Sequence, residues 1–301
     1  MNKIPYDATR KSLYSPGDAV DFFQLTAVPT QSDSTLCAEM ARLAYVKEVD
    51  RLEAYLSRAG YERHWHIGYG HRGTQLFIAK IRLESGEYQV VVSFRGTEPD
   101  DPSDLVADAV LLKTPWQDIT GNNRGLVHKG FADALLNDAL NGHVLAQIQQ
   151  QLDELLDQTA SIFLTGHSLG AALAILLTSY FKDSIFLEKM HTYTFGAPRV
   201  GDADFASSVA DDKHSRYVNC CDLVTRIPTE SLGFLHNGTL HYLDRHGLSQ
   251  TYSEAAIAED RSLAAMAYLQ DFSCLGGTVW VRELADHSPV NYVSAVAGLR
   301  A

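Results

Sequence analysis

The sequence predicts an α/β protein with a mostly parallel central sheet that is flanked by helices. Three observations support this prediction. Short apolar strands alternate with helical segments along most of the 301 residues, and no internal repeat interrupts them. Polar residues follow the ends of several strands, as happens where parallel strands deliver side chains to one edge of a sheet. We therefore expect residues 1–301 to form a single domain.

The first structured region is predicted to be helical. Apolar residues recur at helical spacing over residues 34–46 and 49–59, and Gly60 then offers a helix C-cap. This pattern indicates an N-terminal helical region over about residues 33–60.

The middle of the chain supplies the first strands. Residues 74–82 and 88–94 are rich in Phe, Ile and Val and are joined through Ser85-Gly86, which is typical of a hairpin. Apolar residues at helical spacing then predict a long amphipathic helix over residues 131–156. Residues 161–165 predict a further short strand. Two more strands are expected over residues 192–195 and 216–219.

Composition excludes several classes of protein. The chain is 46% hydrophobic and 21% charged, which is typical of a globular protein and not of a disordered or fibrous one. Its formal net charge of −12 repels phosphate backbones, so nucleic-acid binding is not expected, and it disfavours docking on anionic membranes. The four cysteines form no CxxC pair or disulfide framework, and we expect them to be free thiols.

The sequence also carries an expectation about location. Lys3, Arg10 and Lys11 are not followed by the apolar stretch of a secretory signal, and no apolar run approaches the ~20 residues of a membrane span. We therefore expect a cytoplasmic protein with no transmembrane segment, with export by another route left open.

A serine lies on the sharpest turn that the pattern predicts. The turn Gly166-His167-Ser168-Leu169-Gly170 falls between a strand and the helical run over residues 171–181. Such an elbow requires neighbours without bulk, because the strand and the helix approach each other closely. The helix N-terminus then offers the backbone N–H of Leu169 and a positive dipole to a developing oxyanion. Ser168 is therefore the candidate nucleophile.

A serine hydroxyl requires a histidine base and an acid that orients the imidazole. In proteins with this elbow the acid and then the histidine follow the serine in the chain. His287, in a late loop, is the candidate base, and Asp222, at the end of a strand, is the preferred acid. Asp286 is disfavoured because neighbouring side chains in an extended segment point apart. The other rivals lie in a polar, helix-like segment and are Asp202, Asp204, Asp211 and Asp212.

A second oxyanion donor is expected from the loop after an earlier strand. The segment Ser93-Phe94-Arg95-Gly96-Thr97 ends a predicted strand in a glycine-containing turn, so Thr97 can offer both its N–H and its hydroxyl. An ordinary turn in which Arg95 makes a structural salt bridge is the alternative.

Taken in order, these segments resemble the successive signatures of the class 3 lipases, the fungal-lipase-like α/β-hydrolases. The resemblance spans about residues 74–292. It implies the α/β-hydrolase fold and acyl-ester hydrolysis with Ser168 as nucleophile, His287 as base and Asp222 as acid. Thr97 and Leu169 would be the oxyanion donors, and no cofactor or metal is implied. The matching segments are SFRGT at 93–97, VHKGF at 127–131, GHSLGAALA at 166–174, TFGAPRVG at 194–201, DLV at 222–224 and DH at 286–287.

Two segments depart from that family or lack a clear counterpart. Where fungal members carry an apolar lid helix, this chain has the polar, lid-like residues 98–107, with four carboxylates and two prolines among residues 98–104. Such a segment has little apolar surface to transfer into lipid, so an active site that is open in water is expected. Residues 232–244 are expected either to line the acyl pocket or to form a covering hairpin.

The resemblance predicts a carboxylester or lipid acyl hydrolase that acts through an acyl-enzyme. Triacylglycerol or a shorter-chain ester is the leading substrate, a phospholipase A1 or a feruloyl-type esterase is the close alternative, and transient contact with a lipid interface is allowed. A catalytically silent homologue that binds lipid or a partner protein is the alternative outside enzymes.

Overall fold

The computed structural model describes residues 6–9, 33–68, 73–97, 112–209, 213–273 and 282–299. The strands of these residues form an eight-stranded sheet and a separate two-stranded hairpin. The strands are β1 (Glu62–Ile67), β2 (Leu76–Arg82), β3 (Tyr88–Phe94), β4 (Lys113–Gln117), β5 (Asn123–His128), β6 (Thr159–His167), β7 (Met190–Phe195), β8 (His214–Asn219), β9 (Thr239–Leu243) and β10 (Ser249–Gln250).

The sheet is parallel in the middle and antiparallel at both edges. Its strand order is β1-β2-β3-β6-β7-β8-β9-β10, and the five strands from β3 to β9 in that order run parallel. The pairs β1/β2, β2/β3 and β9/β10 are antiparallel, while β4 and β5 form the separate hairpin. This arrangement confirms the predicted α/β class and the predicted β2–β3 hairpin.

Helices and short 3₁₀ turns connect the strands. The helices are α1 (Asp33–Leu43), α2 (Val49–Arg58), α3 (Lys129–Leu136), α4 (Val144–Leu155), α5 (Leu169–Tyr180), α6 (Ile185–Lys189), α7 (Ala203–Ser208), α8 (Glu254–Ser273), α9 (Arg282–Asp286) and α10 (Pro289–Val296). Within the part of the chain that the structure describes, none of them is both long and apolar enough to cross a membrane.

The sheet separates two hydrophobic clusters because successive side chains of a strand point to opposite faces. Along β2, Leu76 and Ile78 face the cluster formed with α3, α4 and α5. Phe77 and Ala79 face the other cluster, formed with α1, α2 and α10. Both faces of the central strands are therefore buried, which explains their nearly continuous apolar sequence.

Two predicted elements differ in the structure. The single helix expected over residues 131–156 is two helices, α3 and α4. The chain turns between them, where Asp138 and Gly142 exchange backbone hydrogen bonds and Gly142 adopts a φ of +69°. Residues 232–244 contain strand β9, which pairs with β8 inside the central sheet, so they are not a covering hairpin. The first difference arises because apolar residues keep their helical spacing on both sides of a short turn. The second arises because a half-buried strand and a surface hairpin have similar sequence patterns.

The parallel strands bring four loops to one edge of the sheet. Strands β3, β6, β7 and β8 run in the same direction, so the residues that follow them meet at their carboxyl ends. Residues 95–97, Ser168, Gly196 and Asp222 all lie in these loops.

Candidate active site

Ser168 lies on a strained turn between β6 and α5. Its φ of 58° and ψ of −127° place it in a backbone conformation that residues other than glycine rarely adopt. The backbone N–H of Ser168 donates to the carbonyl of Phe195 at the end of β7 (3.0 Å), and the carbonyl of Ser168 accepts from the N–H of Ala171 (3.0 Å). These bonds hold the strained turn between the sheet and the helix.

The two glycines of the elbow are required by close backbone contacts. A Cβ atom on Gly166 would stand 2.3 Å from the carbonyl oxygen of Gly170, and a Cβ on Gly170 would stand 2.3 Å from that of Phe94. Both distances are far below van der Waals contact. The predicted reason for the glycines, a close approach of strand and helix, is therefore what the structure shows.

His287 lies between Ser168 and Asp222. Its Nε2 is 3.0 Å from the Ser168 Oγ, and its Nδ1 is 2.9 Å from each carboxylate oxygen of Asp222. The three residues are separated by up to 119 positions in the chain, and all are buried. The structure thus brings the three predicted residues together in the chain order and geometry that a serine nucleophile requires.

The Asp222 carboxylate has further donors that hold it in place. Its Oδ1 accepts from the backbone N–H of Val224 (2.9 Å), and its Oδ2 accepts from the Tyr292 hydroxyl (2.6 Å). Burial and the negative charge of Asp222 raise the pKa of Tyr292 well above its usual range, so the phenol stays a donor. Tyr292 had no signal in the sequence, because only the fold brings helix α10 against the end of β8.

Gly196 provides the space in which the acid and the base meet. Its φ is +62°, and a Cβ there would stand 2.8 Å from the Asp222 Oδ2 and 3.1 Å from the His287 ring. Any side chain at this position would therefore displace the acid or the base. This contact explains the glycine of the TFGAPRVG segment.

The rival acids occupy other positions. Asp202 is the N-cap of α7, where its side chain accepts from the backbone N–H of Phe205 (3.0 Å), and Asp204 lies in the first turn of that helix. Asp286 is buried, but its carboxylate binds Tyr6, Cys221 and Arg282 and not the imidazole of His287. Asp211 and Asp212 lie outside the described residues.

His167, the residue before Ser168, supports the segment that carries His287. Its Nε2 is 2.6 Å from the backbone carbonyl oxygen of His287, and its Nδ1 is 2.7 Å from the Tyr45 hydroxyl. Because a carbonyl only accepts, Nε2 carries the proton and Nδ1 accepts from Tyr45. Burial lowers the pKa of His167 well below its usual range, and the neighbouring His287 lowers it further, so the ring is neutral.

One expected oxyanion donor, Leu169, lies in the elbow, and the other, Thr97, lies in the loop after β3. Leu169 is the first residue of α5, and a Cβ on Gly96 would stand 3.0 Å from the Cβ of Ser168. Thr97 follows Gly96 directly and is exposed. The side chain of Arg95 donates to the amide oxygen of Gln75 and lies over the ring of Tyr45.

The serine and the histidine of the candidate active site are buried. Ser168 is 1% exposed and His287 is 4% exposed. The expectation of an active site that is open in water stays a prediction, because it depends on residues 98–107. These lid-like residues lie outside the described residues.

One group of side chains in the described part of the chain has the composition of a metal site. Ligand atoms of Cys220, Cys221 and Asp286 lie within 4.8 Å of one another. Both carboxylate oxygens of Asp286 already accept hydrogen bonds from protein groups, and the thiol of Cys220 donates to Asp260. These hydrogen bonds explain why Cys220, Cys221 and Asp286 lie close together without a metal ion.

Comparison with known proteins finds similarity to lipases. Residues 91–232 match the family model described as lipase (class 3). Through this segment the chain is similar to the class 3 lipases. The matched segment includes Thr97, Ser168, Leu169 and Asp222, whereas His287 lies beyond it.

Individual relatives with similar sequences are also lipases by name. The chain is 27% identical over 247 residues to triacylglycerol lipase OBL1 of Arabidopsis thaliana, covering 67% of this chain and 46% of that protein. It is 30% identical over 172 residues to a lipase of Rhizomucor miehei, covering 55% of this chain and 44% of that protein. The chain therefore spans less than half the length of these two curated relatives.

Solved structures show the fold. The lipase of Rhizopus microsporus var. chinensis is 23% identical, with a TM-score of 0.52, over 69% of this chain and 72% of that one. The similarity supports an α/β-hydrolase fold for this chain.

Proposed function

We propose that this protein hydrolyses carboxylic esters of lipids through a covalent acyl-enzyme. The observation that carries the proposal is the position of His287, within hydrogen-bond distance of both the Ser168 hydroxyl and the Asp222 carboxylate. This arrangement activates a serine that would otherwise be a poor nucleophile.

In the proposed acylation, the Ser168 Oγ forms a bond to the ester carbonyl carbon while His287 Nε2 takes the hydroxyl proton. The Nδ1–H of His287 donates to Asp222, which orients the ring and stabilises the imidazolium. The negative carbonyl oxygen is held by the N–H groups of Leu169 and Thr97. When the bond to the alcohol oxygen breaks, His287 gives its proton to the departing alcohol.

Deacylation repeats these steps with water. His287 takes a proton from a water molecule whose oxygen attacks the acyl carbon, and it then returns the proton to the Ser168 Oγ as the fatty acid leaves. Each proton taken is returned, so the enzyme ends unchanged and needs no cofactor in this scheme.

The proposed substrate is a triacylglycerol or a shorter-chain acyl ester. The names of the relatives support the lipid class: one is a triacylglycerol lipase and another is a lipase. A panel of triacylglycerols of increasing chain length, with a phospholipid and a feruloyl ester, separates the leading substrate from phospholipase A1 and feruloyl esterase activity. Cytoplasmic location and transient contact with a lipid interface stay predictions.

Ser168→Ala tests the proposal directly. We expect kcat on a chromogenic acyl ester to fall by about 10⁴-fold or more, because the nucleophile is removed. The matched control is Ser179→Ala, because Ser179 is a buried serine of α5 whose hydroxyl bonds that of Ser208 (3.0 Å) away from the site. The control should keep its kcat. Near-native turnover in folded Ser168→Ala, or no turnover of any ester by the unaltered protein, would overturn the proposal, the latter in favour of a silent binding homologue.

A further inference from the structure

Asp286 adjoins the proposed base in the chain but points away from it. It is completely buried. Its Oδ1 accepts from the Tyr6 hydroxyl (2.6 Å), and its Oδ2 accepts from the backbone N–H of Cys221 (3.0 Å) and the Nε of Arg282 (3.0 Å). The carboxylate is therefore fully engaged with groups other than the catalytic imidazole.

These bonds connect the two loops that carry the acid and the base. Cys221 immediately precedes Asp222, and Asp286 immediately precedes His287. The bond from Cys221 to Asp286 thus joins the residue before the acid to the residue before the base. Asn219 adds a second connection, since its Nδ2 donates to the backbone carbonyl of Asp286 (2.9 Å).

Arg282 and Tyr6 hold the Asp286 side chain from two further directions. Arg282 lies one turn earlier in α9 and also donates to the carbonyl of Arg245 (2.8 Å). Tyr6 reaches the carboxylate from a segment whose backbone N–H donates to Leu299 (3.0 Å). A buried ion pair contributes little net stability, because desolvation offsets its attraction. Its fixed geometry, however, sets the position of whatever it binds.

We infer that Asp286 is a positioning residue that sets the distance between the acid loop and the base. Through Cys221 and its own backbone it keeps the Nδ1 of His287 within reach of Asp222. The inference rests on the proposed function, because it requires Ser168, Asp222 and His287 to act as a triad.

Asp286→Asn is the main test. The amide keeps the shape of the side chain but removes the charge that Arg282, Tyr6 and Cys221 share. We expect kcat per folded molecule to fall about 10²-fold with KM changed less than about threefold, since a small misplacement of catalytic groups has an effect of this order. Tyr6→Phe removes one donor and should lower kcat about three- to tenfold. It also keeps the inference testable if Asp286→Asn does not fold.

The matched control is Glu39→Gln. Glu39 forms a buried ion pair with Arg42 within α1, and both side chains are 3% exposed. Neither residue belongs to the acid or base loop. We expect this variant to lose stability while its kcat per folded molecule stays within about twofold of the parent.

Two further measurements separate positioning from a merely structural role. In an Asp222→Asn background, adding Asp286→Asn should lower kcat less than about threefold, because the bond that it positions is already lost. The low-field proton resonance of the His287 Nδ1–H should shift or broaden in Asp286→Asn and stay unchanged in Glu39→Gln.

The inference is overturned if both Asp286→Asn and Tyr6→Phe keep kcat within about twofold, or if the full loss from Asp286→Asn persists in the Asp222→Asn background. These outcomes differ from failure of the proposed function, in which Ser168→Ala itself retains activity.

Discussion

The serine side and the acid–base side of the proposed triad are held by different kinds of structure. Ser168 is placed by its own backbone turn, between β6 and α5, with Gly166 and Gly170 on either side. Asp222 and His287 are placed by side chains from distant parts of the chain. Tyr292 reaches the acid across 70 positions, and Tyr6 reaches Asp286 across 280.

A local motif therefore positions the serine, whereas contacts across the whole fold position the acid and the base. The steric requirements of the elbow fall on five consecutive residues and appear in the sequence as glycines. The acid and the base are held by hydrogen bonds between distant segments. The polar groups that form these bonds have no fixed spacing in the sequence. Substitutions should therefore affect the acid–base side in graded steps, one hydrogen bond at a time.

The largest effect is expected from removing the charge of the acid. Asp222→Asn should lower kcat by about 10⁴-fold, because the amide favours the wrong tautomer of His287. Steady-state kinetics on an acyl ester measure this. Asp202→Asn, which alters the N-cap of α7, is the control and should leave kcat unchanged. A ranking in which Asp202→Asn is the more damaging variant would reassign the acid.

The next effect concerns the serine side. Thr97→Val removes the hydroxyl but keeps the shape and the backbone N–H, and it should cost about 2.7–4 kcal/mol of transition-state stabilisation if the hydroxyl binds the oxyanion. We expect a lower kcat with little change in KM, and Thr97→Ser should be tolerated. Equal activity of Thr97→Val and the parent would limit the role of Thr97 to its backbone.

A smaller effect is expected from the donor that only the fold supplies. Tyr292→Phe removes the hydroxyl that bonds the Asp222 Oδ2 but keeps the ring, so kcat should fall about tenfold, as for other hydrogen bonds to charged groups. Tyr61→Phe is the matched control, since that buried hydroxyl bonds Gln89 (2.6 Å) away from the site. If the two variants have the same kcat, the Tyr292 hydroxyl does not support the acid.

The smallest effect on activity is expected at a carboxylate outside both regions. Burial raises the pKa of Asp118, but hydrogen bonds from Thr120, Arg124 and backbone N–H groups outweigh it and lower the pKa from 3.8 to about 2. A lowered carboxyl pKa stabilises the folded state above the unfolded value, and this stability is lost as the pH falls from about 4 towards 2.

Asp118→Asn should therefore lower the free energy of unfolding at pH 7 by about 2 kcal/mol while kcat stays unchanged. Urea unfolding at pH 7 and at pH 3 measures the change, and the deficit should shrink at the lower pH. Asp133→Asn, in a half-exposed pair with Lys129, is the control and should change stability by less than about 1 kcal/mol. A deficit that does not depend on pH would contradict the charge argument.

Local sequence was enough to predict the α/β class, the hairpin of β2 and β3, and the elbow at Ser168. These features have local causes: alternating apolar residues, a turn at Ser85-Gly86, and glycines where backbones approach. The sequence also indicated Asp222 and His287, since the order of the triad along the chain and the ends of strands narrow the choice.

Only the tertiary structure shows how the acid and base loops are held. It also shows where the predicted long helix breaks. Several hydrogen bonds of these loops form only because α10, β8, α9 and residues 6–9 pack together. These bonds join Tyr6 to Asp286, Asn219 to both Tyr292 and Asp286, and Tyr292 to Asp222. A hydrogen bond between residues far apart in the chain leaves no periodic pattern in the sequence. Such a bond forms only when the folded sheet brings the two segments into contact, and this contact depends on the packing of the whole chain.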